Sequence, residues 1–144
     1  MRHGEAGEAP LDVDRALTAK GHAQARASAE GLVRLQVKVP VIHHSPYLRA
    51  CETAAVVAAV FGARLVVSDG LTPSSSPELA LASLLKLRHG AFVVAHVPIL
   101  PALAELLCGA RLHFPTAGVA QIVVHGGTGV LDRLWSCEEL ERVS

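Results

Sequence analysis

The sequence predicts one α/β domain, a three-layer α/β/α sandwich with a mixed, mostly parallel sheet and an antiparallel ribbon at one side. Two observations support this fold class. Short apolar runs rich in β-branched residues alternate with segments in which apolar side chains recur at helical spacing. Hydrophobic residues also make up 51% of the 144 residues, enough for the core of one domain in a chain too short for two. We therefore expect a single domain over residues 1–144.

The first half of the chain predicts two helices and two strands. Thr18 is a suitable N-cap, and a stripe of apolar residues follows it. The compact run VPVIHH predicts a strand. Ser45 followed by Pro46 is an N-cap and first-turn pair, so we place a helix start there. In order, the predicted elements are a helix over residues 19–36, a strand over 38–44, a helix up to Gly62 and a strand over 64–67.

The second half of the chain continues the alternation and then changes to a ribbon. Ser76 and Pro77 repeat the capping pair after a loop rich in serine and proline. AFVVA is a continuous apolar run, which predicts a strand covered on both faces. GGTG between two apolar runs predicts a hairpin turn. The predicted elements are a helix over residues 77–87, a strand over 91–95, a helix through Leu107, a loop over 111–115 and two strands over 119–125 and 130–135.

Composition argues against several classes of function. The 13 basic and 13 acidic residues balance, so the charge expected of a nucleic-acid-binding protein is absent. Three cysteines without a CxxC pair predict neither a disulfide framework nor a thiolate zinc site, and favour a reducing cytoplasm. His43 and His44 are neighbours on a predicted strand and would point to opposite faces, so we expect no metal site there. We expect no cofactor.

A membrane location is not expected either. The stretch over residues 91–110 has roughly the length of a membrane span, but it contains two prolines and two ionisable side chains. A buried strand that leads into an amphipathic helix explains it better. The polar residues that follow Met1 also lack the apolar segment of a secretory signal.

Polar residues able to meet an anion occur at three junctions that lead into loops or helices. Arg2 and His3 open the chain, Ser45 to Arg49 follow the VPVIHH run, and His96 follows AFVVA. In open α/β sheets, ligands bind beyond the carboxyl ends of the strands, where helix N-termini present free N–H groups. We therefore expect the three junctions to form one pocket.

The residue types in this predicted pocket suit phosphoryl transfer through a covalent intermediate. A neutral imidazole nitrogen can attack phosphorus, while guanidinium groups bind the phosphoryl oxygens in pairs and stay charged. Two histidines, His3 and His96, and two arginines, Arg2 and Arg49, satisfy that requirement without a metal. Three other histidines, His22, His89 and His113, are predicted to be surface or loop residues.

Four ordered motifs carry a family resemblance: RHGEA, DRALTAKGHAQA, SPYLRACETA and VVAHVPIL. Together they resemble the histidine phosphatase superfamily, and the compact layout is similar to the SixA-type phosphohistidine phosphatases. The resemblance implies a phosphoglycerate mutase-like fold and His3 as the nucleophile. It also implies that Arg2 and Arg49 clamp the phosphoryl group, that His96 donates to it, and that Arg15 lies near it.

The general acid is the open question of this resemblance. Relatives that cleave phosphate esters of alcohols use a carboxylate to protonate the leaving group, and the candidates here are Glu5, Asp69 and Glu78. A phosphohistidine substrate needs less help, because imidazole leaves far more readily than an alkoxide. We therefore expect phosphohistidine on a signalling protein as the substrate. The alternatives are a small-metabolite phosphomonoesterase or mutase, and a catalytically silent phosphoryl-binding domain.

The start of the sequence departs from the pattern that it resembles. Relatives have an apolar strand directly before RHG, whereas only Met1 precedes it here. We expect the first central strand to be missing and the domain to be N-terminally truncated. Three explanations are open: a coding sequence that continues upstream, which we prefer, a strand supplied by another chain, or a decayed member. We also expect a frayed terminus that positions His3 poorly and lowers activity relative to a longer form.

Overall fold

The fold is an α/β/α sandwich, described by a computed structural model for residues 1–87 and 90–144. Helices and strands alternate up to residue 108, as predicted, and a hairpin and a short helix follow. The helices are α1 (Ala19–Arg34), α2 (Leu48–Phe61), α3 (Pro77–Leu84), α4 (Ile99–Cys108) and α5 (Cys137–Glu141). The strands are β1 (Val41–His44), β2 (Arg64–Val67), β3 (Phe92–Val94), β4 (Val119–His125) and β5 (Thr128–Trp135).

The sheet consists of a parallel part and an antiparallel part. The parallel strands run in the order β2-β1-β3, with His44 opposite both Val67 and Val94. The antiparallel pair is β4-β5, and its two-residue loop is Gly126-Gly127. Both glycines have positive φ, the backbone conformation that this type of tight hairpin requires. The predicted hairpin is thus confirmed.

The opening residues join the two parts of the sheet. Met1 and His3 exchange main-chain hydrogen bonds with Val93 and Ala95 on the β3 side. On the other side, the N–H of Arg2 donates to Gly118 and the carbonyl of His3 accepts from Ala117. No strand is assigned within residues 1–40, all of which the structure describes, although Arg2 forms a parallel bridge with Ala95. These three residues therefore take part in the sheet.

The expectation of a frayed terminus is wrong. Met1 is only 5% exposed, and its amino group donates to the Val93 carbonyl at 2.8 Å. Burial lowers the pKa of this amino group to about 5, so it is neutral at pH 7. The main-chain bonds on both sides fix the segment that carries His3, because each satisfies a backbone group that is otherwise buried.

Two clusters of apolar side chains pack on opposite faces of the sheet. One is built from α1, α2 and α5 and the other from α3 and α4. Val94 belongs to the first cluster and its neighbour Ala95 to the second, as the alternation of side chains along a strand requires. Helices therefore cover both faces, and loops at one end of the sheet remain free to build a site.

The element boundaries differ from the predicted ones mainly at the ends. The first helix stops at Arg34 because Gln36 has a positive φ of 62°, which no helix continues through. Pro40 precedes β1, so the strand begins three residues later than predicted. The helix predicted over residues 77–87 ends at Leu84, and Ser76 caps it as predicted. The predicted Arg64–Val67 strand is confirmed.

Two local predictions need correction. Ser45 does not cap α2: the N-cap is Tyr47, which makes no side-chain capping bond, while the Ser45 hydroxyl turns toward the inside of the molecule. The chain also ends in a fifth helix that was not predicted. Ser136 and Glu139 form a capping box at its start, a signal that the SCEE sequence already contains.

An apolar cavity of about 740 Å³ lies between β3 and β4. Met1, Phe92 and Val119 are among its lining residues. Neither predicted site histidine lies in the lining that the structure describes. The cavity is therefore separate from the predicted chemistry.

Candidate active site

The three predicted junctions meet at one end of the sheet. The rings of His3 and His96 lie with their centroids 5.2 Å apart, and the Arg49 guanidinium contacts the His3 ring. All three residues are buried, with exposures of 7%, 1% and 5% respectively. Residues 46 and 93 positions apart in the sequence thus form one polar cluster inside the fold.

The contacts of His3 define which of its nitrogens is available. Its Nδ1 lies 2.7 Å from the Gly4 carbonyl oxygen, which can only accept, so Nδ1 carries the proton. Its Nε2 then has a free lone pair, which accepts from the Arg49 Nε at 3.3 Å. Burial is the largest cause that lowers the pKa of His3 to about 4; the Gly4 bond opposes the shift, and the neighbouring arginines add to it. The imidazole is therefore neutral at pH 7, with its free lone pair on Nε2.

Two supports from distant elements fix the loop that carries His3. The Gly4 N–H donates to the Thr53 hydroxyl at 3.0 Å, and that hydroxyl donates to the Arg49 carbonyl at 2.7 Å. Gly4 also lies directly against Gly21 in the first turn of α1, where a Cβ on Gly4 would collide with the Gly21 carbonyl. Thr53 is fully buried, so its hydroxyl links the loop to α2 without competition from water.

Arg49 projects from the first turn of α2 and uses all three guanidinium nitrogens. Its Nε contacts His3, its Nη1 donates to the Asp12 carbonyl at 2.8 Å, and its Nη2 donates to the Asp12 carboxylate at 3.2 Å. The ring of Tyr47 lies beneath it, with the guanidinium carbon 5.1 Å from the ring centroid. The side chain is therefore held in one orientation beside His3 Nε2.

His96 follows β3 and precedes α4. Its Nε2 lies 2.7 Å from the Ser45 hydroxyl, and the Tyr47 ring packs edge-on against it at 5.2 Å. Burial is the largest cause that lowers the pKa of His96 to about 3, and the charge of Arg49 contributes. His96 is thus a second neutral imidazole, oriented by a buried hydroxyl.

Two buried side-chain nitrogens in the described part of the chain have no hydrogen-bond partner, and both belong to predicted site residues. They are Arg2 Nε and His96 Nδ1. The remaining contact of Arg2 is a bond from Nη1 to the Phe114 carbonyl at 2.8 Å. A buried polar atom without a partner costs free energy, so these two nitrogens are the ones in the cluster that a ligand could satisfy.

Arg15 lies at the edge of this cluster. Its Nε donates to the Gly7 carbonyl at 2.8 Å, and its Nη1 donates to the Asp12 carboxylate at 3.2 Å. Its charge contributes to the lowered pKa of His3, but its contacts reach Arg49 only through Asp12. The structure therefore brings His3, His96 and Arg49 together. The charge of Arg2 helps to lower the pKa of both histidines, and Arg15 lies one residue further out.

The three carboxylates named as candidate acids lie elsewhere. Glu5 accepts from the Thr18 hydroxyl and pairs with Lys20 at the start of α1. Asp69 is exposed in the turn before α3, and Glu78 is exposed in the first turn of α3, where it accepts from Ser76. In the described part of the chain, none of these carboxylates forms a hydrogen bond with the cluster.

The other histidines have no part in the cluster as far as the structure describes them. His22 and His113 are exposed, which confirms their predicted surface location, whereas His89 lies outside the described residues. Among the residues that the structure covers, no group of three or more His, Cys, Asp or Glu side chains could hold a metal ion. Within the same residues, no helix combines the length and apolar character needed to cross a membrane.

Two site residues, Asp12 and Thr53, were not predicted, and two others were included only as part of the Ser45 to Arg49 junction. Asp12 lies in a polar loop without periodicity, and Thr53 acts across 49 positions of sequence. Tyr47 and Ser45 lie inside the SPYLRA motif, which was the one available signal for them. All four orient the predicted residues, and Asp12, the one carboxylate among them, lies in a loop with no sequence pattern that distinguishes it from other acidic residues.

A family comparison agrees with this geometry. The model of the histidine phosphatase superfamily, branch 1, matches residues 1–74, which include the RHG loop and Arg49.

The chain belongs to the histidine phosphatase superfamily.

No curated protein sequence matches this histidine phosphatase.

Solved structures of the superfamily have the same fold along almost the whole chain. A protein histidine phosphatase SixA in complex with tungstate is 29% identical, covers 97% of this chain and 96% of its own, and has a TM-score of 0.92. A SixA phosphohistidine phosphatase from Nakamurella multipartitia is 25% identical and has a TM-score of 0.81. The match covers 94% of this chain and 92% of the Nakamurella chain. A phosphoserine phosphatase from Entamoeba histolytica is 18% identical over 96% of both chains, with a TM-score of 0.73, and shows the fold alone.

Proposed function

We propose that this histidine phosphatase hydrolyses phosphohistidine on a protein, through a covalent phosphohistidine intermediate on His3. The observation that carries the proposal is the state of His3. Its Nδ1 proton is fixed by the Gly4 carbonyl, its Nε2 lone pair faces Arg49, and its lowered pKa keeps it neutral. An imidazole in this state is ready to attack phosphorus without a prior loss of a proton.

The proposed reaction has two steps. His3 Nε2 attacks the phosphorus, the bond between phosphorus and the substrate nitrogen breaks, and the departing imidazole takes up a proton from solvent. Water then attacks the phosphorus of phospho-His3, giving inorganic phosphate, a released proton and the free imidazole. Arg49, Arg2 and His96 stabilise the negative charge on the phosphoryl oxygens in both steps. Arg2 Nε and His96 Nδ1, which have no protein partner, are the donors available for those oxygens. The scheme needs no metal ion.

The leaving group decides between the candidate substrates. Alkoxides leave poorly without a proton donor, whereas an imidazole with a pKa near neutrality leaves readily. Glu5, Asp69 and Glu78 form no hydrogen bond with the described cluster, so none of them is positioned as that donor. This geometry supports a phosphohistidine substrate, and the 29% identical SixA relative is itself a protein histidine phosphatase. We place the reaction in the cytoplasm.

The alternatives predict different results in a substrate panel. A small-metabolite phosphomonoesterase or mutase would prefer phosphate esters such as 3-phosphoglycerate. A catalytically silent phosphoryl-binding domain would be stabilised by oxyanions without turnover. Tungstate is a suitable oxyanion probe, because the SixA relative contains it.

The test is hydrolysis of a histidine-phosphorylated carrier protein, p-nitrophenyl phosphate and 3-phosphoglycerate by the wild type and by His3→Ala. We expect the phosphoprotein to have the largest kcat/KM and all activity to disappear in the variant. A thermal-shift titration with tungstate measures binding in both proteins. Preference for 3-phosphoglycerate, activity that survives in His3→Ala, or tungstate binding without any turnover would each contradict the proposal.

A further inference from the structure

A short exposed strap places a carboxylate against the proposed phosphate clamp. The strap is the segment of residues 8–14, which ends in a 3-10 turn at Asp12–Asp14. Its Asp12 accepts from both terminal nitrogens of Arg49, once through the main-chain carbonyl and once through the carboxylate. The other carboxylate oxygen accepts from Arg15 at 3.2 Å. Asp12 thus joins the two arginines.

The exposure of these groups shows on which side of the site Asp12 lies. The side chain of Arg49 is 6% exposed, whereas that of Asp12 is 56% exposed. Along the guanidinium, Nε faces His3 and the terminal nitrogens face Asp12. In-line attack by His3 sends the leaving group away from His3. Asp12 is an exposed carboxylate on the terminal nitrogens of Arg49, which are the guanidinium nitrogens that do not contact His3.

The carboxylate of Asp12 is held in its ionised form. Burial raises the pKa of Asp12, but the hydrogen bonds from Arg15 and Arg49 outweigh that effect and leave the pKa below its usual value. At neutral pH the group is therefore an anion, which cannot protonate an alkoxide. An exposed ion pair of this kind contributes little to stability, so the contact is better understood by its effect on ligands.

We propose that Asp12 is a specificity-determining residue, which disfavours leaving groups that carry a negative charge and so directs the site toward neutral ones such as imidazole. This inference rests on the proposed function, because it names the substrate class of the same site. Like charges placed next to each other discriminate against a ligand without any new attractive contact. Phosphohistidine presents a neutral ring beside Asp12, whereas 3-phosphoglycerate presents a carboxylate. Arg15 acts as the residue that holds Asp12 in place.

The test compares two stable ligands that differ mainly in the charge of the group behind the phosphate: 3-phosphoglycerate and glycerol 3-phosphate. Their dissociation constants are measured by calorimetry in the His3→Ala variant, with and without the additional change Asp12→Asn. Because His3→Ala lacks the proposed nucleophile, the reading does not depend on hydrolysis. It therefore remains valid even if the proposed function fails.

We expect Asp12→Asn to improve the binding of 3-phosphoglycerate relative to glycerol 3-phosphate about fivefold or more, since a like charge is removed. Asp12→Asn also frees Arg49 from the Asp12 carboxylate, which should strengthen the binding of both ligands equally. This effect therefore cancels in the ratio of the two dissociation constants. Asp12→Glu retains the charge and should retain the ratio. Asp14→Asn changes a second carboxylate of the same turn and should leave the ratio unaltered. The inference would be overturned if the ratio of the two dissociation constants in the Asp12→Asn protein lay within twofold of the ratio in the His3→Ala parent. It would also be overturned if Asp14→Asn changed this ratio as much as Asp12→Asn does.

Discussion

Two junctions of the molecule supply the proposed nucleophile and its arginine, and they are built in opposite ways. Arg49 follows a four-residue strand that is paired on both sides, and it projects from a 14-residue helix. His3 follows only Met1 and Arg2 and belongs to no assigned strand or helix. Its position depends on main-chain bonds to Ala95 and Ala117, on the Thr53 hydroxyl and on the contact with Gly21. A side chain can therefore be fixed by regular secondary structure, as Arg49 is, or by several contacts from distant elements, as His3 is.

This comparison has a consequence for mutational sensitivity. A side chain on a well-paired element keeps its position when one neighbour is lost, because the backbone bonds of the element remain. A loop held by a few distant contacts shifts when one of them fails, and small displacements of a nucleophile reduce rates strongly. Changes to the supports of the His3 loop should therefore cost more activity than a comparable change beside Arg49 and His96.

The largest effect is expected from Gly4→Ala. The added Cβ would meet the Gly21 carbonyl, which is backbone and cannot rotate away, so the His3 loop must move. We expect kcat to fall about 100-fold, because a displacement of the His3 side chain by about 1 Å reduces the rate by roughly that factor. Gly7→Ala is the matched control, since its Cβ would find only ordinary contacts with Thr18 and Ala16. Steady-state kinetics with both variants, checked by circular dichroism, measures the effect; equal activity in the two would contradict this account of the loop.

Thr53→Val should cause the next largest loss of activity. Valine keeps the shape but leaves the buried Gly4 N–H without an acceptor, at a cost of about 1–3 kcal/mol in the free energy of unfolding. We expect kcat to fall about 30-fold as the loop loosens. Thr53→Ser restores the hydroxyl and should recover most of the activity. Urea unfolding and kinetics report the two effects, and a Thr53→Ser protein as inactive as Thr53→Val would argue against the hydrogen bond as the cause.

Ser45→Ala tests the better-built junction. The change removes the hydroxyl that bonds His96 Nε2 and accepts from the Tyr47 N–H, but it leaves the main-chain pairing of β1 with its two neighbouring strands. We expect about a tenfold loss of kcat with little change in KM, because the ring keeps its location and loses one restraint. Ser83→Ala on the exposed face of α3 is the control. A loss larger than that of Thr53→Val would reverse the proposed order of the two junctions.

The smallest effect concerns pH. The folded-state pKa values of His3 and His96, about 4 and about 3, lie below the unfolded value of 6.5, so the unfolded chain binds protons first as the pH falls. The contribution of these two imidazoles to stability is therefore lost as the pH falls below about 6.5. Each histidine should lower the free energy of unfolding by about 2 kcal/mol between pH 6.5 and pH 5.

His3→Gln and His96→Gln should each flatten this pH dependence, whereas His22→Gln, at an exposed position, should not. Urea unfolding at several pH values gives the slopes. A wild-type protein whose stability is constant from pH 7 to pH 5 would show that the two imidazoles are not buried in their neutral forms.

Much of this fold could be predicted from the sequence, and the reasons lie in local signals. AFVVA and RLVV are β-branched runs, and Ser76 with Pro77 is a capping pair, so each specifies its element within a few residues. The three predicted junctions also placed His3, Arg49 and His96 in one expected pocket. Those residues are recognisable because their chemistry is distinctive in itself.

The remaining features depend on contacts that no local pattern contains. Ser45 is predicted to be a helix N-cap, but its hydroxyl forms a hydrogen bond with the buried imidazole of His96, 51 positions later in the sequence. The terminus was expected to be frayed because no apolar strand precedes Arg2 in the sequence. In the folded protein, Met1 and Arg2 donate main-chain hydrogen bonds to Val93 and Gly118 respectively. Asp12 lies in a loop whose path is set by Arg49 and Arg15. Such residues become visible only once the tertiary structure is known.

The most direct test of the account is to trap the covalent intermediate. Wild-type protein is mixed with a histidine-phosphorylated carrier protein in stoichiometric amount, quenched within milliseconds at alkaline pH, where phosphohistidine survives, and digested for mass spectrometry. The account predicts one phosphoryl group on the peptide that contains Arg2 and His3, located at His3, and none in His3→Ala or with unphosphorylated carrier. Phosphate release at the wild-type rate with no label on His3, or label on another residue such as His96, would contradict it.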